Sequence, residues 1–356
     1  MSNDIIVMCS SGDITDIRRA RALLGGGCPG PMGPIGPTGP SMDIPVTTSI
    51  YVDFLRTDSY TESGSIIHPF KTLGAAYTLA TASASPTNPK ILVLQSGNTL
   101  ATAENITFTM GHIYLTGDNS SGTHAPIVFY GSLTFTASTD TTLEINRFSI
   151  SFLAITGVED VNCITFSGTN AQMLLMKDVW VTVNGAAHGI TMTNNNTGTG
   201  SLAHIHDCKF THNGSGAYHC IDIQAGTANI DTLETIGVNV GVIGVDGGAC
   251  NILNANISSG GSYVIDVYAG GTLTLANSTL TSIISGAIGI NLIDNATAFV
   301  LNVNFVIPSN GKAISTEKTG SSFTSVLWYG PMFFLPGTSA IVDPNIGTIT
   351  QIATYP

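Results

Sequence analysis

The sequence predicts an all-β chain: a parallel β-helix with a capping helix at its N-terminal end, preceded by a collagen-like neck that makes the molecule a homotrimer. Three observations carry this expectation. Gly27 to Ser41 reads Gly-Cys-Pro, Gly-Pro-Met, Gly-Pro-Ile, Gly-Pro-Thr, Gly-Pro-Ser, five unbroken Gly-X-Y triplets. From about residue 100 to 307, short apolar-alternating strands separated by Gly, Asn, Ser and Thr recur with a loose period of about 26 residues, the length of one solenoid coil. The composition agrees, because only 10% of the residues are charged and 40 are Gly, which suits stacked strands with neutral outer faces and argues against helical bundles.

Charge narrows the partners. The chain holds 23 acidic and 11 basic residues; three of each lie within residues 1–41, leaving 20 against 8 in the body. An acidic body repels phosphates, so nucleic acid is not an expected partner. No apolar run reaches the roughly 18 residues of a membrane span, and Met1-Ser2-Asn3-Asp4 opens without the basic start and apolar core of a signal peptide. Synthesis in a cytoplasm, without membrane insertion or export by the usual route, is the expectation.

Residues 1–25 read as an anchor. Ser11 or Asp13 caps a short amphipathic helix in which Ile14, Ile17 and Leu24 share a stripe, with Arg18, Arg19 and Arg21 bunched beside it. Such a helix is marginal alone and needs a partner to dock on.

Residues 26–41 form the neck. In a triple helix every third residue faces the crowded common axis, so Gly27, Gly30, Gly33, Gly36 and Gly39 are the trimerisation positions. The other reading is a stiff proline-rich linker. Cys9 and Cys28 flank the basic segment and are candidates for an inter-chain disulfide. No cysteine has metal-type Cys-x-x-Cys spacing, and Cys163, Cys208, Cys220 and Cys250 read as small buried apolar residues.

Residues 42–99 supply the first coil and its cap. Ile50 to Phe54 reads as a strand. Pro69 opens a helix from 70 to 82 with Phe70, Leu73, Tyr77 and Leu79 or Ala80 as its stripe, and Lys90 to Gln95 is a buried strand. An amphipathic helix there covers the open end of a stack.

Residues 100–322 are the solenoid. An Asn or Asp is followed three places later by a large apolar residue at Asp178–Val181, Asp207–Phe210, Asn254–Ile257, Asn277–Leu280 and Asn302–Phe305, with Phe148 and Ile236 as weaker members of the apolar series. The Asn or Asp belongs at a tight bend between two strands, and the apolar residue inside. Residues 323–356 crowd Phe323, Leu327, Trp328, Tyr329, Met332, Phe333 and Phe334 and read as a C-terminal cap.

Two resemblances follow. The order Tyr51-Val52-Asp53, a polar loop, His68-Pro69-Phe70-Lys71-Thr72-Leu73, a helix and a buried strand resembles the start of right-handed parallel β-helix proteins of the pectate-lyase-like superfamily. Anchor, collagen-like segment, helix-capped β-helix and apolar cap together resemble the virion fibres and tailspikes of bacteriophages and large DNA viruses. That resemblance implies a homotrimer on a virion surface, made in the host cytoplasm and attached through residues 1–25 to another virion structural protein. It also implies host-surface polysaccharide as a partner, with Asn194, Asn195, Asn196, Tyr218 and Tyr263 as candidate glycan contacts.

The fold also hosts polysaccharide-cleaving enzymes, which makes the carboxylates candidates for catalysis. Glycoside hydrolysis wants two of them facing across a groove. Glu159 and Asp160 are adjacent and point to opposite faces of an extended backbone. Asp178 and Asp207 fall at equivalent places in successive coils, too close to hold a water between them. Asp222, Asp231, Glu234, Asp246 and Asp266 read as turn formers. His188, His204, His206, His212 and His219 read as solvent-facing, with His204 and His206 on one face of a strand. The expectation is a non-enzymatic fibre or spike without metal or cofactor; the alternative is a tailspike-type polysaccharide depolymerase.

Overall fold

The structure, a computed structural model, describes residues 49–353 apart from 86, 99–102, 119–124, 137–141, 154–161, 168–172, 194–201, 216–217, 240, 269, 309, 318–324, 335–338 and 342–347. The anchor, the neck, Cys9 and Cys28 lie outside the described residues.

The first strand, Ser49–Val52, alternates so that Ile50 and Val52 turn inward, and it lies parallel to Lys90–Leu94 with Ile50 opposite Leu92 and Val52 opposite Leu94. Between them runs the helix Leu73–Thr81. Thr72 is extended, and its hydroxyl accepts the Ala75 N–H at 3.3 Å, so it caps the helix. The Glu104 carboxylate accepts a second unpaired N–H of the first turn, that of Gly74, at 3.1 Å. Leu73, Ala76 and Ala80 are buried in the common core. The helix therefore starts later than the sequence suggests, because Thr72 offers a cap that Pro69 cannot. Phe70 instead bridges Val52, and Leu79 points outward with 42% of its surface exposed. No helix among the described residues is long and apolar enough to cross a membrane.

Beyond the helix, strands stack in two parallel ladders. The long ladder contains Met173–Asn184, Leu202–Ser215 and Thr227–Asn239 side by side, then Ala249–Leu253 with Asn256–Ser259, Thr272–Ala276 with Thr279–Ser282, and Thr297–Val306. The short ladder contains Ile164–Phe166, Ile190–Met192, Ile221–Ile223, Ile243–Asp246, Tyr263–Tyr268, Ile288–Ile293 and Lys312–Glu317. Parallel neighbours cannot be joined by a hairpin, so the chain must travel once around between them. Alternate visits to the two ladders make each circuit one coil of a β-solenoid.

Coil stacking sets the core. Val181, Phe210, Thr235, Ile257, Leu280 and Phe305 occupy one register position, and all are buried. Burying each apolar member stabilises by about 1.5–3 kcal/mol. Two members of the sequence series are corrected. Ile150, two residues beyond Phe148, pairs with Val181. Thr235 takes the inward place, leaving Ile236 outside with 38% of its surface exposed. The strand alternates with period two, so a one-residue error moves a side chain to the other face. The long ladder also continues beyond residue 322, because Ser325–Phe334 pairs in parallel with Thr297–Val306 and Thr348–Ala353 pairs with it in turn. The aromatic segment 323–356 thus contains two strands of the solenoid.

Cys163, Cys208, Cys220 and Cys250 are buried free thiols. Burial pushes the Cys163 thiol up, and those of Cys208, Cys220 and Cys250 to about 12.

Candidate functional site

Each strand of the long ladder bends at one residue in left-handed backbone: Asp178, Asp207, Thr232, Asn254, Asn277 and Asn302, with φ from 49° to 56°. A carboxamide or carboxylate tolerates this conformation by bonding locally, which is why Asn and Asp occupy five of the six positions. The expected placing of Asn and Asp at the bends is met, and Asp178 and Asp207 are equivalent as expected.

Two residues after the bend, one outward position repeats: Trp180, Lys209, Glu234, Asn256, Thr279 and Asn304 stand opposite one another in successive coils. Most of this row lines an open groove of about 540 Å³ together with Asp207, Asn254 and Asn277. Trp180 presents its ring at one end, 45% exposed. Lys209 donates from Nζ to Glu234 Oε1 at 2.8 Å, leaving the middle of the row neutral. A second hollow, of about 420 Å³, lies among residues preceding the bend and is lined by His204, His206, Asn229, Asp231, Asn251 and Leu253, among others. There His206 Nδ1 is 2.7 Å from Asp207 Oδ2 and Nε2 is 3.8 Å from Asp231 Oδ2. Asn251 donates to Asn229 Oδ1 at 2.9 Å. His204 and His206 thus share a face, as expected.

The short ladder treats its polar residues differently. Thr191, Asp222, Gly244, Asp266, Asn291 and Ser315 form one row, and all but Ser315, which precedes Thr316, stand between inward-facing apolar neighbours. Its polar side chains are nonetheless buried, Asp222 to 6% and Asp266 to 3% residual exposure. These two are not turn formers but central residues of strands. The His219 ring lies between them, stacked on His188 with ring centres 5.5 Å apart.

Three histidines therefore depart from the solvent-facing expectation. His188 and His219 are largely covered. His212 is fully buried, with Nε2 donating to the Ala187 carbonyl at 2.7 Å and Nδ1 accepting the Gly214 N–H at 3.1 Å. Burial holds the His212 imidazole below its usual pKa, against the opposing pull of the Ala187 carbonyl.

Of the candidate glycan contacts, Asn194, Asn195 and Asn196 lie outside the described residues, as do Glu159 and Asp160. Tyr218 and Tyr263 belong to the short-ladder side, half-buried, and line neither hollow. Tyr218 meets the His188 ring edge-on at 5.3 Å. Sequence reasoning missed Trp180, Lys209 and Asn256. The signal was present, since each stands two places after the Asp or Asn that marks the bend.

No family model and no curated protein matches the chain. Among solved structures, it is similar to the A-module of the Azotobacter vinelandii mannuronan C-5 epimerase AlgE4, with 10% identity, TM-score 0.35, and 85% of this chain and 100% of that one covered. The A-module of the epimerase AlgE6 from the same organism matches with 13% identity and TM-score 0.31 over 76% of this chain and 94% of that one. Tailspike protein 3 of bacteriophage CBA120 matches with 12% identity and TM-score 0.27 over 78% of this chain and 58% of that one. The fold itself rests on the parallel register described above.

Proposed function

We propose that this chain is a non-enzymatic, homotrimeric fibre or spike of a virion surface, anchored through residues 1–25 to another structural protein of the particle, whose solenoid attaches to polysaccharide on the host surface. The helix Leu73–Thr81 closes the N-terminal end of the shaft. The Gly-X-Y triplets support three chains, and the anchor stripe supports a docked N-terminus.

The observation that carries the attachment role is the outward row beginning at Trp180. A sugar offers a ring face of C–H groups and a rim of hydroxyls; an exposed indole matches the first and a line of carboxamide, hydroxyl and paired charged groups matches the second. Neighbouring rungs are about 4.8 Å apart, so an extended polymer can meet several at once. The Lys209–Glu234 pair keeps the row from presenting a single sign of charge.

The test is binding of the full-length chain to host-surface polysaccharide. Wild type should bind, Trp180→Ala should weaken binding at least tenfold with unchanged thermal stability, and the polymer should keep its length. Shortening of the polymer would assign the depolymerase reading instead. Retained affinity in Trp180→Ala would remove the groove from the proposal.

A further inference from the structure

We propose that His219 and Asp222, with His188 beside them, form a site for one transition-metal dication of the zinc type on the short ladder. The central distance is the gap of 3.9 Å between His219 Nδ1 and Asp222 Oδ1. It is too long for a hydrogen bond, and Nδ1 is buried without a hydrogen-bond partner. A tetrahedral ion bound at about 2.0–2.2 Å to each atom would hold them about 3.4 Å apart, so a small closure accommodates it. A ligand atom of His188 lies with these two in a group spanning no more than 4.8 Å. His188 Nδ1 accepts the His219 N–H at 3.1 Å, so ligation through that nitrogen exchanges this bond for one to the metal.

The groups behind the ligands fit the same reading. Asp222 Oδ2 accepts from Gln224 Nε2 at 2.8 Å, which fixes the carboxylate and leaves Oδ1 turned to the gap. On the far side of the imidazole, His219 Nε2 faces Asp266 Oδ2 at 3.7 Å, and Asn291 Nδ2 donates to Asp266 Oδ1 at 3.3 Å. A metal-bound histidine usually has a carboxylate behind it, which sets the tautomer and strengthens the ligand. Charge points the same way. Asp222 and Asp266 are both buried, and no Lys or Arg among the described residues is paired with either. A dication at the gap would place positive charge beside both carboxyl groups.

Gly244, between the two aspartates in the row, keeps the gap open. A Cβ there would stand 2.8 Å from both Asp222 Oδ1 and His219 Nδ1. The pair His204 and His206, half-buried and exposed respectively, stands in the other ladder and serves as an internal control.

The full-length chain, stripped with a chelator, is titrated with Zn²⁺ by calorimetry and with Co²⁺ by visible absorption. One ion per chain is expected, with a raised melting temperature. His219→Ala and Asp222→Asn should weaken binding at least a hundredfold. Asp266→Asn, which acts only through His219, should weaken it about tenfold or more. Gly244→Ala should also weaken it, while a His204→Ala, His206→Ala double variant should not. The proposal fails if wild type shows no saturable binding, if binding survives both ligand variants, or if the His204/His206 double variant abolishes it. Because a variant can lose binding by misfolding, X-ray absorption on zinc-loaded wild type provides a separate reading. Imidazole nitrogen in the shell supports the site, and an all-oxygen shell overturns it. Neither outcome depends on the glycan reading of the groove.

Discussion

Asn302 donates its side-chain amide to Oδ1 of Asn277, its counterpart one coil earlier, at 3.0 Å, and both hold left-handed backbone, with φ of 51° and 49°. One residue type meets two demands at this corner. It lowers the cost of the bend, and it ties each coil to the next. Asn254 does the same toward the preceding coil by donating to Asp231 Oδ1 at 3.0 Å. Thr232 is the exception, a β-branched residue with φ of 54°.

That contrast gives opposite expectations at equivalent positions. Asn302→Ala should destabilise by about 2 kcal/mol, combining an Ala in left-handed backbone with a lost hydrogen bond. Thr232→Asn should stabilise by about 1 kcal/mol, because the branched side chain is strained there. Chemical denaturation midpoints decide both, and a Thr232→Asn variant no more stable than wild type would refute the strain argument.

His212 should make the fold acid-sensitive. Its folded pKa is lowered by burial, so the stability it contributes is present above the unfolded value of about 6.5 and is lost as pH falls through the folded value. His219 adds repulsion in the same direction. Unfolding free energy should therefore drop as pH falls below the unfolded value of about 6.5, and His212→Gln should flatten this slope even where it lowers stability overall. An unchanged slope would mean that other groups carry the acid response.

The four thiols of the solenoid should be inert in the folded chain. A thiol whose pKa rises to about 12 holds almost no thiolate at neutral pH, and Cys208, Cys220 and Cys250 are in addition out of reach of reagent. Mass spectrometry after alkylation should find them and Cys163 unmodified until denaturant is added. Rapid labelling of any of them in the native protein would show that the coil opens locally.

The proposed trimer is tested at the neck. In the proposed triple helix, Gly33→Ala and Gly36→Ala would each place a methyl group on the crowded axis, so both should lower the temperature at which the three chains separate. Sedimentation against temperature measures it. A variant that stays trimeric to the same temperature would make the triplets a linker.

Much of the architecture was legible in the chain. Alternation gave the strands, and the spacing from Asp207 to Asn254, Asn277 and Asn302 gave the coil. The inward place of one coil was misassigned where that coil breaks the pattern twice, with Thr232 at the bend and Thr235 inside. Ile236 is the nearest apolar residue, but period two places it outside. Helix onset was missed for a related reason, because Pro69 and Thr72 are both starting signals, and the Thr72 cap together with the packing of Leu73, Ala76 and Ala80 selects between them.

The candidate sites were less legible, since they are built from residues brought together across coils. Trp180, Lys209 and Asn256 are separated in the sequence and become neighbours only when the coils stack in register. Asp222, Gly244 and Asp266 become a row the same way, with His219 laid over the glycine.

By itself the sequence determined the β-solenoid repeat, the bends and the Gly-X-Y triplets, because these depend on backbone preferences and side-chain periodicity that act over a few residues. Only the tertiary structure decided which polar residues are exposed and which are buried. Alternation says that Asp222 and Glu234 both point away from the core. Whether anything then covers them depends on the packing around each ladder, and that is why one carboxylate lines an open groove while the other is buried beside a largely covered imidazole.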